Sequence, residues 1–382
     1  MKILVDNEIT DANKVFGHLG SVELFKGRSL TRALVKKAQV LIVRSVTKVN
    51  RELLRGSQVR FVASATSGND HVDVNFLQEN GIKFFCAVGA NAKTVAEHVL
   101  CCMAEYAAEA RVSLGELSVG LVGYGHVGQA VGKLLDCLSI KYCAYDPFIN
   151  SHSHPLVLTD LDKVLGCDVV SLHVPLTTNG SHPTHNLIGH QSIAKLRSGA
   201  LLINTARGTV LDESALIGRL SGEGKIWAAI DCWAGEPDID PEFTQAVWRA
   251  TPHIAGHSVQ AKRRALMMVY QSVCNYLEVD TRRLEFIDKA ESLGKLVGSA
   301  DVDGILRAAH PLQYHTEGLV KASRLELPHK IAYFDDHRAK YGLRHEFSAY
   351  KEVYSGFDGG IIKALSGLGF VSESQSTIAK KS

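Results

Sequence analysis

Short apolar runs recur along the first two-thirds of the chain, separated by stretches long enough to be helices. KILV (2–5) is the first, followed by QVLIVRS (39–45), VRFVASATSG (59–68) and IKFFCA (82–87). Runs this short, rich in Val, Ile and Phe and bounded by polar segments, predict buried parallel strands joined by crossovers. TVAEHVLCCMAEYAAEA (94–110) instead carries apolar residues at helical spacing and predicts one long helix.

The alternation resumes in SVGLVGY (118–124), KYCAYD (141–146), DVVSLHV (168–174), ALLINTA (200–206) and IWAAID (226–231). Asp212 stands where it can cap a helix over DESALIGRLSGEG (212–224), which ends in a glycine-containing turn. A second long helix is predicted over QAKRRALMMVYQSVCNYLEV (260–279), placed so that the chain returns to its first domain. The pattern predicts an α/β chain with two doubly wound parallel-sheet (Rossmann-like) domains and a cleft between them. Expected boundaries are 1–98 with 257–285 for one domain and 99–256 for the other.

Near residue 286 the texture changes. HPLQYHTEGLVKASRLELPHK (310–330) is rich in histidine and polar groups, and FDDHRAKYGLRHEF (334–347) is strongly charged. A small C-terminal α+β domain over 286–382 is expected, ending in a disordered tail, SESQSTIAKKS.

Composition narrows the function classes. At 382 residues the chain is too long for one core, and 46% hydrophobic with 21% charged residues is ordinary for a globular protein. A net charge of +2 supplies no field for a nucleic acid or a membrane surface, so neither partner is expected. MKILVDNEIT reads as a first strand rather than a signal peptide, and no apolar run is of membrane-spanning length. Eight scattered cysteines without a CxxC pair predict reduced thiols and a cytoplasmic protein.

The chemistry begins at VGLVGYGHVGQAVG, where Gly123, Gly125 and Gly128 form a G-x-G-x-x-G with His126 and Val127 between the last two glycines. A strand precedes it, a helix follows, and the next strand ends in Asp146. This context predicts a dinucleotide whose pyrophosphate meets the helix N-terminus and whose ribose hydroxyls meet Asp146, which selects NAD over NADP. Other strands end in His173, Val174 and Pro175, in Asn204, Thr205 and Arg207, and in Asp231, and Arg207 and Asp231 are expected to face the cofactor crevice.

TPHIAGHS (251–258) places His253 and His257 four apart, a helical metal-ligand spacing. Pro252 and Gly256 oppose a helix and a third ligand is missing, so no metal is expected. With NAD in the crevice, oxidation of an alcohol needs a base near neutral pKa, and His253 with Glu236 of DCWAGEP is the available pair. Arg207 has the planar fork that suits a substrate carboxylate. Read from residue types alone, a structural histidine and a surface ion pair stay open beside this trio.

VGLVGYGHVGQAVG, LLINTARGTVLDESAL, AAIDCWAGEP and TPHIAG occur in the order and spacing of the D-2-hydroxyacid dehydrogenases, which the chain resembles. The resemblance implies that Arg207 binds the substrate carboxylate, Glu236 supports the histidine and His253 is the acid/base. It assigns Asp231 to the nicotinamide side of NAD and Asp146 to the adenosine ribose. The remaining implied cofactor contacts are Gly123, Gly125, His126, Val127, Gly128, Val174, Thr205, Ala206 and Gly256. Val174 stands where a hydroxyl residue can sit in relatives.

LIVRSVTKVN (41–50), FVASATSGNDHVD (61–73), HIAGHSVQAK (253–262) and the region of FDDHRAKYGLR resemble one branch of that family, acting on a phosphorylated hydroxy acid. That likeness implies Ser45 and Thr66 as substrate contacts, and the C-terminal domain as the homodimer interface. It also implies a substrate contact at His257, a position commonly tyrosine in the branch. Arg44, Ser45, Thr47, Lys48, Thr66 and Ser67 offer cationic and hydroxyl groups for a phosphate. The competing expectations are a phosphoglycerate- or hydroxypyruvate-type dehydrogenase of the same family, and a non-enzymatic NAD-sensing corepressor on the same fold.

Overall fold

The apolar runs form strands, and their burial follows from the way each sheet is covered. The computed structural model describes residues 1–149, 158–284, 286, 291–292, 301–340, 344–352 and 358–372. They fall into two units, Met1–Asn91 with Val259–Asp288, and Ala92–Ser258 with Lys289–Ser382.

In the first unit β1 (Lys2–Asp6), β2 (Ser21–Phe25), β3 (Val40–Val43), β4 (Phe61–Ser64) and β5 (Lys83–Cys86) form a parallel sheet in the order β2-β1-β3-β4-β5. Side chains alternate across it: Ile3, Val5, Val40 and Ile42 pack on one face against Leu266, Val269, Tyr270 and Val273 of the helix Val259–Leu277. Leu4, Leu41, Val43 and Val62 pack on the other with Val35, Leu54, Phe76 and Leu77. Burial on both faces is why β3 and β4 read as unbroken apolar runs. SVELF, which forms the edge strand β2, is half exposed and lacks that signature.

The second unit holds β6 (Val119–Val122), β7 (Tyr142–Tyr145), β8 (Val169–Leu172), β9 (Leu201–Asn204), β10 (Trp227–Ile230) and β11 (Arg249–Ala250). All pair in parallel, in the order β11-β10-β9-β8-β6-β7. The helix Ala92–Ala110 is buried along most of its length against this sheet. Asp212 caps a helix through Ala215 N–H (3.0 Å), but that helix stops at Ile217, shorter than the sequence suggests. Gly218, Gly222 and Gly224 follow and do not sustain it.

The described C-terminal residues form helices Val302–Ala309, Gln313–Ser323, Leu327–Lys340 and Gly359–Leu368, with a small parallel sheet of β12 (Glu291–Ser292), β13 (Tyr350–Glu352) and β14 (Val371–Ser372). Ile305, Leu306, Leu312, Phe347 and Leu365 share one core with Val95, Val99 and Leu100, while Phe334 and Leu319 join that of Trp233 and Phe243. The tail from residue 373 lies outside the described residues. Among the described residues, no helix is long and apolar enough to cross a membrane.

Candidate active site

The glycine-rich turn leaves β6 where Gly123 N–H donates to Tyr145 O (2.8 Å). A Cβ on Gly128 would lie 2.2 Å from Gly123 O, so only glycine lets the helix His126–Cys137 start this close to the strand. A Cβ on Gly125 would meet nothing within 4 Å, which leaves open space before the helix N-terminus. Asp146 follows β7 and is fixed on the rim of the turn by Tyr124 N–H (2.9 Å) and Phe148 N–H (3.1 Å). Val174 packs on the turn from the next strand end. Nearby on the strand ends, Thr205 Oγ1 and both ring nitrogens of His173 are buried without hydrogen-bond partners, and burial lowers the His173 pKa to about 3. Open space at a helix N-terminus, a rim carboxylate and unsatisfied buried polar groups fit a bound dinucleotide.

The second cluster lies beyond β9 and β10. Asn204, the last residue of β9, donates to Arg207 O (3.1 Å) and to Cys232 O (3.3 Å), which ties the Arg207 turn to the loop after β10. A Cβ on Gly208 would fall 1.9 Å from the carbonyl carbon of Trp233, so the two loops touch at backbone distance. Arg207 Nη1 donates to Ala206 O (2.8 Å). Glu236 accepts from Trp233 N–H (3.3 Å) through Oε2, and its Oε1 stands 2.5 Å from His253 Nδ1.

His253 sits in a turn rather than a helix, with φ of 55°. Its N–H donates to Asp231 O (2.8 Å), and the buried Asp231 carboxylate accepts from Thr251 Oγ1 (2.6 Å), Ile254 N–H (2.7 Å) and Ala255 N–H (3.0 Å). Gly256 and His257 follow, His257 N–H returning to Ile254 O (2.9 Å). Among the described residues no group of three or more His, Cys, Asp or Glu side chains is arranged to hold a metal ion.

Burial alone would lower the His253 pKa, yet it is raised well above the ordinary histidine value by Cys232 and Glu236. Burial also holds the Cys232 thiol protonated by raising its pKa, so the Glu236 carboxylate is the charge that acts on the imidazole. Glu236 is itself kept below the usual carboxylate range: burial opposes this, while His253, Arg338 and Trp233 N–H favour the ionised form. Cys232, Arg338 and Glu213, whose pKa burial raises to about 7, belong to this surrounding and were not singled out in the sequence. Cys232 is adjacent to Asp231 in DCWAGEP, but nothing local in the sequence marks Arg338.

In the first unit Ser45 is exposed after β3, beside Arg44, whose Nε lies 3.1 Å from Asp6. Thr47 is buried with its hydroxyl donating to Gly27 O (3.0 Å), so it braces the loop. Thr66 shares a hydrogen bond with Ser64 (2.7 Å), and Ser67 donates to Asn91 (2.6 Å).

A family model described as D-isomer specific 2-hydroxyacid dehydrogenase, NAD binding domain, matches residues 90–255. Erythronate-4-phosphate dehydrogenase of Marinobacter nauticus is 37% identical over 380 residues, covering 97% of this chain and 99% of the relative. The enzyme of that name from a Marinomonas species is 43% identical over 281 residues, 73% of this chain and 74% of the relative. The chain belongs to the D-isomer-specific 2-hydroxyacid dehydrogenase family, among its erythronate-4-phosphate dehydrogenases. It is an NAD-dependent oxidoreductase acting on a CH–OH group. Solved members of the family share the fold. NAD-bound 3-phosphoglycerate dehydrogenase of Entamoeba histolytica has a TM-score of 0.62 at 25% identity, covering 75% of this chain and 99% of its own. D-lactate dehydrogenase of Aquifex aeolicus, complexed with NAD and lactic acid, has a TM-score of 0.62 at 23% identity, covering 72% and 95%.

Proposed function

We propose that the enzyme oxidises 4-phospho-D-erythronate to the 2-oxo acid, 3-hydroxy-2-oxo-4-phosphobutanoate, in the biosynthesis of pyridoxal 5′-phosphate. The observation that carries the chemistry is the 2.5 Å contact between His253 Nδ1 and Glu236 Oε1. An imidazole whose Nδ1–H is held by a carboxylate presents Nε2 as the base, and the carboxylate stabilises the imidazolium that forms. His253 Nε2 takes the C2 hydroxyl proton, and Arg207 holds the substrate carboxylate with its two parallel N–H donors. Bound NAD would supply the acceptor for the hydride that leaves C2.

Asp146 takes the adenosine ribose hydroxyls, and Gly123, Gly125, His126, Val127 and Gly128 face the pyrophosphate. Val174, Thr205, Ala206, Asp231 and Gly256 complete the cofactor contacts. Both Asp231 oxygens are engaged by the His253 loop, which supports a role in holding that loop as well. Ser45, Thr66 and His257 are the proposed substrate contacts, with Ser45 and Lys48 exposed on one loop to meet the phosphate. The protein is proposed to be cytoplasmic and a homodimer through residues 286–382.

The substrate rests on relatives of that name matching over nearly their full length. NADH formation is followed with 4-phospho-D-erythronate, 3-phospho-D-glycerate and D-glycerate, each with a 2-oxo acid present to reoxidise retained cofactor. Turnover confined to the first supports the reading, and preference for either other acid overturns it. His253→Ala is expected to remove turnover while NAD binding persists, and light scattering of the full chain tests the dimer, which a monomer mass refutes.

A further inference from the structure

The C-terminal residues grip both loops that carry the Glu236–His253 pair. The Glu236 loop is met by one face of the helix Leu327–Lys340. Lys330 Nζ donates to Asp238 Oδ1 (2.8 Å) and Ile239 O (3.3 Å). One turn on, Phe334 is buried among Trp233, Ile239 and Phe243. A further turn brings Arg338 over the Phe334 ring, 5.8 Å from its centroid, where its charge favours the Glu236 carboxylate. Residues spaced by four share a helix face, so a single stripe lies along the loop.

The far end of the His253 loop is met by the segment Arg344–Phe347. Arg344 donates to Ala255 O (3.2 Å) and to Thr94 O (3.3 Å). Glu346 Oε1 accepts from Thr94 Oγ1 (2.5 Å) and Ser258 Oγ (3.3 Å), and the two hydroxyls lie 3.0 Å apart. Phe347 N–H donates to Glu97 (3.2 Å). Thr94, Glu97, Ser258, Arg344 and Glu346 are all buried. Polar groups buried together are costly to separate, because none regains water without opening the whole cluster. Asp231 thus holds the near end of the His253 loop, and Arg344 with Glu346 holds its far end.

We propose that Arg344 and Glu346 are positioning residues that hold the His253 loop, and through it the contact of His253 with Glu236, in register, which makes the C-terminal region part of the catalytic apparatus. This rests on the reading of His253 as the acid/base. The alternative is that the region serves only assembly and core packing.

The full-length variants Arg344→Met, Glu346→Ala and Glu346→Gln are compared with the unaltered enzyme by light scattering, thermal unfolding and NAD binding. Steady-state kinetics against pH and NMR titration of the His253 imidazole complete the set. Arg344→Met and Glu346→Ala are expected to keep their mass and their NAD affinity within about twofold, while kcat falls about tenfold or more. In both, the His253 titration moves to lower pH as its contact with Glu236 loosens. Glu346→Gln keeps an accepting oxygen and restores most of kcat.

The proposal is overturned if both variants fold and retain the kcat and His253 titration of the parent. It is also overturned if kcat falls only in proportion to folded protein. Should both variants fail to fold, Ser258→Ala removes one hydroxyl from the cluster, and an unmoved His253 titration in that variant overturns it. The imidazole titration needs no turnover, so inactivity of the parent on 4-phospho-D-erythronate would refute the substrate assignment and leave this test standing.

Discussion

Glu236→Gln keeps the side chain's length and an accepting oxygen but removes the charge that acts on His253. The paired atoms are 2.5 Å apart. With about 4 Å between centres of charge and an effective dielectric near 20, the attraction is about 4 kcal/mol. The two side chains are 29% and 26% exposed, and screening by solvent brings the value to about 2 kcal/mol. Without that attraction the His253 pKa should fall back toward the ordinary histidine value in the variant. Alcohol oxidation needs the neutral imidazole, so kcat/KM should rise with pH through a limb that lies above the ordinary histidine value. In Glu236→Gln that limb moves to lower pH, and the plateau drops about ten- to thirtyfold because the imidazolium formed in turnover loses its partner. Reduction of the 2-oxo acid needs the imidazolium, so its falling limb moves down with it. The assay is NADH formation across pH, with substrate deuterated at C2 to verify that the chemical step is being read. Asp231, Cys232, Glu213 and Arg338 face the pair. Of these Glu213, whose pKa burial raises to about 7, is a second group that titrates above the usual carboxylate range, and Glu213→Gln separates its contribution. A limb that stays in place with a plateau within about twofold would refute the role of the carboxylate.

Arg207→Lys replaces a planar fork with a point charge, and kcat/KM should fall by roughly a hundredfold with NAD affinity unchanged. Near-parental kinetics would show that Arg207 does not hold the substrate carboxylate. Asp146→Ser removes the rim carboxylate beside the glycine-rich turn. Fluorescence titration should show NAD binding weakened about tenfold and the preference over NADP reduced, since the charge that repels a 2′-phosphate is gone. An unaltered preference would place ribose recognition elsewhere.

The strands were legible wherever both faces are covered. In β3, β4, β6, β8 and β9 every residue is buried, and the sequence reads as continuous apolar runs. β2 is an edge strand with one fully buried residue, and β11 is two residues long, so neither has a pattern to read. The Glu236–His253 pair was legible through chemistry and family likeness, because strand ends in such sheets present their residues to one crevice. FDDHRAKYGLRHEF reads as a solvated charged stretch, yet Phe334, Arg344, Glu346 and Phe347 within it are buried. Thr94 and Glu97 lie 250 residues away from their partners Arg344 and Phe347, and no local periodicity encodes a pairing of that range.

The turn that carries His253 holds a non-glycine residue at φ of 55°, a conformation that costs on the order of 1–2 kcal/mol. It persists because the surroundings over-determine it: three donors converge on Asp231, His253 N–H bonds to Asp231 O, and Trp233 Nε1–H bonds to Thr251 O (2.8 Å). In Asp231→Asn the amide nitrogen cannot accept, so at least one buried N–H or hydroxyl donor is left unsatisfied, at about 1–3 kcal/mol. For a unit of this size that lowers Tm by only a few degrees, roughly 2–4 °C per kcal/mol. The same loss releases the turn toward ordinary backbone angles and swings the imidazole off Glu236, and misplacement of about 1 Å costs on the order of a hundredfold in rate. Turnover should therefore collapse in a protein that is still folded at assay temperature. Equal fractional losses in kcat and in folded protein would mean that Asp231 is a core residue only, and that His253 owes its position to something other than this turn.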